Sequence, residues 1–245
     1  MAETFTMYFA WTKSPPQVHD ALAERSLRSP VAILVSFPFV KQFRKTDALN
    51  RLNTRSTMLD SGAFTVWNSG GVVDINELVA EGSRGWSECV MLDDILDYRI
   101  SMQNAEKMRR LGSTAFPVFH IGEPWHVLMW YAERFEKVGL SCRFGESEPI
   151  ALRWLDQCFS RIWPKKAHSF GWVSENALMQ VPFHSADASS WYLAPMKYGR
   201  VSVGSNTRIK TVAKFSEVNI RDDIDRHLEL EERVRVKWRK QLEKL

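Results

Sequence analysis

With 245 residues, 44% of them hydrophobic and 25% charged, the chain is long enough to bury one large core and too ordinary in composition for a disordered or fibrous protein. A formal charge of +4 permits a polyanionic partner without requiring one, and three cysteines (Cys89, Cys142, Cys158) with no CxxC or CxC spacing argue against a disulfide framework or a local zinc site. No basic N-terminal segment leads into a long apolar run and no window suits a spanning helix, so the expected location is the cytoplasm.

Thr4 to Trp11 is apolar and aromatic, as in a strand buried on both faces, and Ser14-Pro15-Pro16 closes it. Gln17 to Arg28 suits a first helix and Val31 to Phe37 a second buried strand, limited by Pro38. Lys41 to Arg55 carries Lys41, Arg44, Lys45, Arg51 and Arg55 against the single acid Asp47; the plainer reading is a solvated helix or loop, the sharper one a phosphate-contacting surface. Thr57 to Asp60 is the third strand, and Phe64 to Gly71 reads as a long loop, with Trp67, Asn68 and the Gly70-Gly71 pair suited to a wall or lid.

Asp74 caps a helix to about Arg84. Cys89 to Asp93 is the fourth strand, Arg99 to Leu111 an amphipathic helix ended by Gly112, and Ala115 to His120 the fifth strand. Pro124 starts a helix through Phe135, Lys137 to Ser141 is the sixth strand, and Ser147 to Trp163 the next helix. Ala167 to Trp172, a brief helix from Ser174 to Met179, and Val181 to Asp187 complete the alternation; Asp222 to Leu245 is one terminal helix of interleaved charges. Strands and helices alternating eight times predict an α/β fold, a (β/α)₈ TIM barrel over residues 1–206, with 207–245 a C-terminal helical extension packed on it.

In such a barrel the C-terminal strand ends share one face, where catalytic groups gather. Three of those ends carry a carboxylate: Asp60, Asp93 and Asp187. One aspartate after a strand is commonly a cap or turn former, but three at one mouth favour chemistry. Two carboxylates across a sugar can displace a group at the anomeric carbon, one as nucleophile and one handling protons, while a third accepts from the N–H groups of a purine-like base. His120 reads equally as a structural side chain or a base contact, and Glu123 as a helix cap or a substrate ligand. His168 and His184 read as barrel interior, and Cys142 as a small buried residue rather than a nucleophile. In the terminal helix Arg233, Arg235, Lys237, Arg239 and Lys240 alternate with Glu229, Glu231 and Glu232, which favours a solvated helix over phosphate contacts.

These stretches carry a family resemblance. Asp60-Ser61-Gly62-Ala63-Phe64 resembles the signature of tRNA-guanine transglycosylases, most closely the form in phage and bacterial relatives that insert 7-deazaguanine bases into DNA. Met91-Leu92-Asp93, then Val118-Phe119-His120-Ile121-Gly122-Glu123, then His168-Ser169-Phe170-Gly171 with Ser185-Ala186-Asp187-Ala188-Ser189-Ser190-Trp191 resemble further motifs of the family in the same order. The resemblance implies Asp187 as nucleophile and Asp60 as the proton-handling acid. It implies Asp93 as selector of the base and Phe64 as a stacking wall, with Ser61, Gly62, His120 and Glu123 lining the substrate.

It also implies exchange of guanine in DNA for a free base such as preQ0, with no metal or redox cofactor, in the host cytoplasm if the chain is phage-encoded. The segment after Asp187 lacks cysteine, unlike the zinc subdomain of the tRNA enzymes, and Gly139-Leu140-Ser141-Cys142-Arg143 stands where they have a glycine-rich loop. The alternatives are the same exchange on tRNA, a hydrolase, and a barrel that binds single-stranded nucleic acid through Trp67, Trp191 and the basic segments without catalysis.

Overall fold

The computed structural model describes residues 5–11, 16–142, 146–171, 173–193 and 217–243. Arg143, Trp172 and residues 207–216 of the expected extension lie outside the described residues. The elements run β1 (Thr6–Trp11), α1 (Pro16–Arg28), β2 (Val31–Ser36), α2 (Phe37–Lys45), β3 (Thr54–Asp60), α3 (Ala63–Ser69), α4 (Ile75–Gly82) and β4 (Glu88–Cys89). They continue with α5 (Tyr98–Arg110), β5 (Val118–His120), α6 (Trp125–Arg134), β6 (Lys137–Ser141), α7 (Glu148–Ile162), β7 (Lys166–Phe170), α8 (Glu175–Gln180), β8 (Ser185–Ala188) and α9 (Glu217–Leu242).

The strands form one parallel sheet ordered β4-β3-β2-β1-β8-β7-β6-β5. A parallel bridge between Val90 and Phe116 joins its two edges, so the sheet curls into the expected α/β barrel. Side chains alternate along each strand. Tyr8, Ala10, Ala32, Leu34, Met58, Val90, Phe116 and Val118 pack inside the barrel, while Phe9, Trp11, Ile33, Val35, Leu59 and Phe119 pack outward with the helices. The same alternation carries Ser36, Asp60, His120 and Asp187 to the C-terminal ends of the inward rows.

The second strand stops at Ser36, with Phe37 already in α2, the fifth starts at Val118, and three further expectations are corrected. Phe64 to Gly71 is mostly helix α3, because Gly62 and Gly70, both left-handed (φ +80° and +73°), flank it as start and stop rather than loosening a loop. The eighth strand begins at Ser185 instead of Val181, since Pro182 has no N–H for the ladder. The fourth strand pairs only briefly, over Glu88–Cys89.

The terminal helix is solvated on one face, where Arg233, Lys237, Arg239 and Lys240 are exposed as expected, and packed on the other. Ile220, Asp223, Ile224, His227, Leu230, Glu231 and Val234 are all buried, a helical stripe packed on α1, α8 and β1. Three polar members of that stripe hide its period in the sequence. Glu231 is 2% exposed. It accepts from the Met7 backbone N–H at 2.8 Å, and it pairs with Arg55 and, at 2.9 Å, with Arg235. Glu231→Ala takes the shared carboxylate from Arg55 and Arg235, which keep the Pro30 and Phe5 carbonyls, and leaves the Met7 N–H without its acceptor; we expect it to cost about 2–4 kcal/mol, read as a lowered urea midpoint. An unchanged midpoint would show that the helix does not hold the barrel.

In the basic segment after β2, Lys41 pairs with Glu77 (3.4 Å), Arg44 with Glu81, Arg51 with Asp20 (2.7 Å) and Arg55 with Glu231. Lys41 and Arg51 stay largely exposed in these pairs, so the segment is solvated. No helix among the described residues is long and apolar enough to cross a membrane.

Candidate active site

Asp60 ends β3 on an inward row. The chain turns at once, so that the Gly62 N–H donates back to Asp60 Oδ2 at 3.1 Å, and the Ser36 hydroxyl also bonds the carboxylate. Only glycine fits this turn: its φ is +80°, and an added Cβ would stand 2.3 Å from Pro38 Cδ. Pro38 thus does more than end β2. Gly62→Ala is expected to cost about 2–4 kcal/mol in unfolding free energy and to displace Asp60, lowering any activity that depends on it. A variant with wild-type stability would show that the turn relaxes without strain.

Burial pushes the Asp60 carboxyl from 3.8 up to about 7, with the charges of Asp93 and Asp187 adding to the rise and the Ser36 and Gly62 bonds opposing it. Asp60 and Asp187 are the last inward residues of β3 and β8 and Asp93 follows β4, so the three carboxylates share the C-terminal mouth, close enough for Asp93 and Asp187 to act on Asp60.

Asp93 follows β4. Its Oδ2 lies 2.8 Å from His120 Nε2, and its Oδ1 accepts from the Ser61 hydroxyl at 3.4 Å. The Ser61 Oγ also accepts from the Ala63 N–H at 3.3 Å, so the Asp60 turn and the Asp93 carboxylate are tied together. His120 is the inward residue that ends β5, and its backbone N–H donates to Glu123 Oε2 at 3.1 Å. Glu123 accordingly fixes the strand end; Pro124, not Glu123, is the N-cap residue of α6.

Asp187 is 7% exposed, inward on β8. Its Oδ1 lies 3.2 Å from His168 Nε2 and accepts from the Gly171 N–H at 3.0 Å. Burial pushes its carboxyl from 3.8 up to about 7 against the Gly171 bond. His168 is interior, as expected, but it is also the partner of Asp187, a role the sequence reading did not assign. Strand alternation was the available signal: Lys166, His168 and Phe170 form one inward row of β7, facing Ser185 and Asp187 of β8.

Beneath this layer Lys137 bonds Glu88 at 2.6 Å, and the Tyr8 and Ser56 hydroxyls meet at 2.7 Å. Gly139 leaves room on β6 for the Phe170 ring, which an added Cβ would meet at 2.4 Å. This gives a physical function to the glycine that begins the Gly139–Arg143 stretch.

At the rim Phe64 and Trp67 stand half-exposed on α3, their ring centroids 6.0 Å apart and the planes 33° from parallel. Trp191, by contrast, is fully buried, its indole N–H donating to the Ala10 carbonyl, so it offers no stacking face. The Cys142 thiol is pushed up to about 12, chiefly by burial, which leaves it protonated near neutral pH. His184 is buried at the entry to β8, its backbone N–H bonded to Ala167 O at 2.9 Å.

A cleft of about 400 Å³ lies elsewhere, among Phe43, Arg44, Asn50, Thr57 and Trp86 on the outer side of β3. It shares no residue with the mouth. Among the described residues no group of three or more histidines, cysteines or carboxylates is arranged to hold a metal ion.

No family model and no curated protein matches the chain. Among solved structures the chain is similar to a mutant tryptophan synthase α-subunit from the hyperthermophile Pyrococcus furiosus, with a TM-score of 0.55 at 14% identity over 93% of this chain and 98% of that one. The structure of the tryptophan synthase α₂β₂ complex from the same organism gives a TM-score of 0.54 at 12% identity over 94% and 98% of the two chains. At such identities the likeness is one of fold, the α/β barrel.

Proposed function

We propose that the protein exchanges guanine in DNA for a free 7-deazaguanine base, through a covalent bond between Asp187 and the deoxyribose. The observation that carries the glycosidic chemistry is the meeting of Asp60, Asp93 and Asp187 at one barrel mouth, with two of them pushed up to about 7. A carboxyl near neutrality can hold its proton in one step and release it in the next. The base and the polymer are taken from the resemblance of the strand-end motifs.

The target nucleotide leaves the stack, at a cost of a few kcal/mol, to enter the mouth. Ionised Asp187 attacks the anomeric carbon; the carbon–nitrogen bond breaks, and its electron pair goes to guanine, which takes a proton from Asp60. The incoming base gives its proton to Asp60 and attacks the same carbon, breaking the ester to Asp187. Two inversions leave the original configuration. Asp93, held by His120 and Ser61, accepts from the N–H groups of the base, and Phe64 stacks on it.

The experiment is base exchange: purified protein with guanine-containing DNA or RNA and free preQ0, followed by digestion and mass spectrometry of the nucleosides. A 7-deazaguanine deoxynucleoside supports the reading. Product in RNA only would transfer it to tRNA-type substrates, abasic DNA would make the protein a hydrolase, and no change in either polymer would remove the enzymatic reading.

A further inference from the structure

Asp187 does not stand alone. Its Oδ1 receives both contacts, from His168 Nε2 at 3.2 Å and from the Gly171 N–H at 3.0 Å, and no hydrogen bond among the described residues goes to Oδ2. The other imidazole nitrogen, Nδ1, lies 2.8 Å from the Ser185 hydroxyl. His168 and Ser185 are register partners on β7 and β8, so the sheet itself sets this contact.

The imidazole is caged by Phe170, Phe116 and Tyr8, with ring centroids 4.3, 5.9 and 6.1 Å away, and it is 0% exposed. Packed on these three rings, the imidazole is held between Ser185 and Asp187. Its surroundings also decide its charge: burial first, then the nearby Lys137 ammonium, hold it well below the ordinary histidine value, against a weaker opposing pull from Glu88.

We propose that His168, as a neutral imidazole, is the positioning residue of Asp187: Ser185 donates to Nδ1, Nε2–H donates to Asp187 Oδ1, and Oδ2 is thereby presented to the mouth. This rests on Asp187 being the nucleophile. The arrangement supplies direction without a second charge. An imidazolium in the same place would hold the carboxylate as a tight ion pair and weaken it as a nucleophile; a neutral donor fixes the carboxylate while leaving it reactive.

Other groups also face the pair. Asp60, Asp93 and His120 lie at the mouth; Lys137, Glu88 and Tyr8 stand below, with Arg55 beyond Tyr8 and Lys166 earlier on the inward row of β7. None of these is altered by substitution at His168 or Ser185, so their background is common to all variants.

The test reads the pair without substrate first. In the full chain, ¹⁵N chemical shifts of His168 and the ¹³C titration of the Asp187 carboxyl are followed from pH 5 to 9, in the wild type and in His168→Leu, His168→Gln and Ser185→Ala. The expected wild-type ring is neutral throughout with the proton on Nε2. Ser185→Ala should shift part of the population to the Nδ1–H form.

His168→Leu removes a donor to the charged carboxylate, so the Asp187 midpoint should rise by about one unit, while His168→Gln, which keeps an N–H donor, should restore most of it. In base exchange, His168→Leu should lose at least about tenfold in kcat, with the acid limb of the pH profile moved upward by the same amount. An imidazole that protonates in this range, or an Asp187 midpoint equal in wild type and His168→Leu, overturns the proposal. Loss of wild-type exchange with the predicted shifts intact would overturn the transglycosylase reading instead.

Discussion

Asp187→Asn is expected to lose base exchange by on the order of 10⁴-fold or more and, at the same time, to melt at a higher temperature than the wild type above pH 7. The first effect follows from the covalent route: an amide cannot form the glycosyl ester, and loss of a nucleophile is among the largest single-residue effects in catalysis. The second follows from burial. The Asp187 carboxyl is pushed up to about 7 in the folded chain, whereas 3.8 is its ordinary value and so that of the unfolded chain.

Below about pH 4 both states hold the proton and the group is neutral in its effect. As pH rises from 4 to 7 the unfolded chain releases its proton while the fold retains one, so stability falls; above 7 the penalty is complete. Asparagine never has to ionise. Its stabilisation should therefore be absent near pH 4, growing at pH 6 and full at pH 8, several degrees in melting temperature. Thermal scans at these three pH values check the trend, and a gain independent of pH would refute the burial account. Intact-mass analysis of protein mixed with guanine-containing DNA checks the chemistry: adduct persisting in Asp187→Asn would move the nucleophile elsewhere.

Asp60→Asn should reduce kcat/KM by about 10²–10⁴-fold and change the shape of its pH dependence. In the wild type, one carboxyl must be protonated and the other ionised, and both are pushed up to about 7. The expected profile is a narrow bell near neutrality, whose two apparent values belong to the coupled pair. Asparagine at position 60 abolishes the alkaline limb, because no proton is left there to lose, and keeps the acid limb, which reports ionisation of Asp187. Activity that still falls at high pH in this variant would show that another group supplies the proton.

The distinction between Asp60 and Asp187 comes from what touches each. Asp60 is bonded by the Ser36 hydroxyl and the Gly62 N–H and feels Asp93 as its strongest neighbouring charge. Asp187 has the neutral His168 and the Gly171 N–H on one oxygen. The held oxygen suits a nucleophile that must point, whereas the like-charged neighbour suits an acid that must keep a proton. Asp93 completes the division, since its two oxygens are already oriented by His120 and Ser61 before any base arrives.

Much of the architecture was legible because short apolar runs alternate with amphipathic stretches, and each run ends in a polar residue. β6 coincides with the run Lys137 to Ser141, and Asp74 caps α4 with its own side chain, accepting from Asn76 and Glu77 N–H groups at 2.7 and 3.0 Å. The carboxylates were legible for the same reason: a strand's last inward residue in a parallel barrel faces the mouth whatever the helices do. The sequence by itself thus determined the α/β barrel and the convergence of Asp60, Asp93, His120 and Asp187.

What only the tertiary structure decided depends on partners distant along the chain. The sequence shows Arg44, Arg51 and Arg55 as one basic run, but not that Glu81, Asp20 and Glu231 are brought to them. The last helix shows its solvated charges in the sequence, but not that Asp223, His227 and Glu231 are buried with Ile224 and Val234 on the opposite face. His168 looks like filling until β8 sets Ser185 on one nitrogen and Asp187 on the other. Periodicity within an element reports which face turns inward; whether a charge on that face is a ligand, a strut or a cost depends on which opposite charge or hydrogen bond meets it there, and that is settled only when the strands pair.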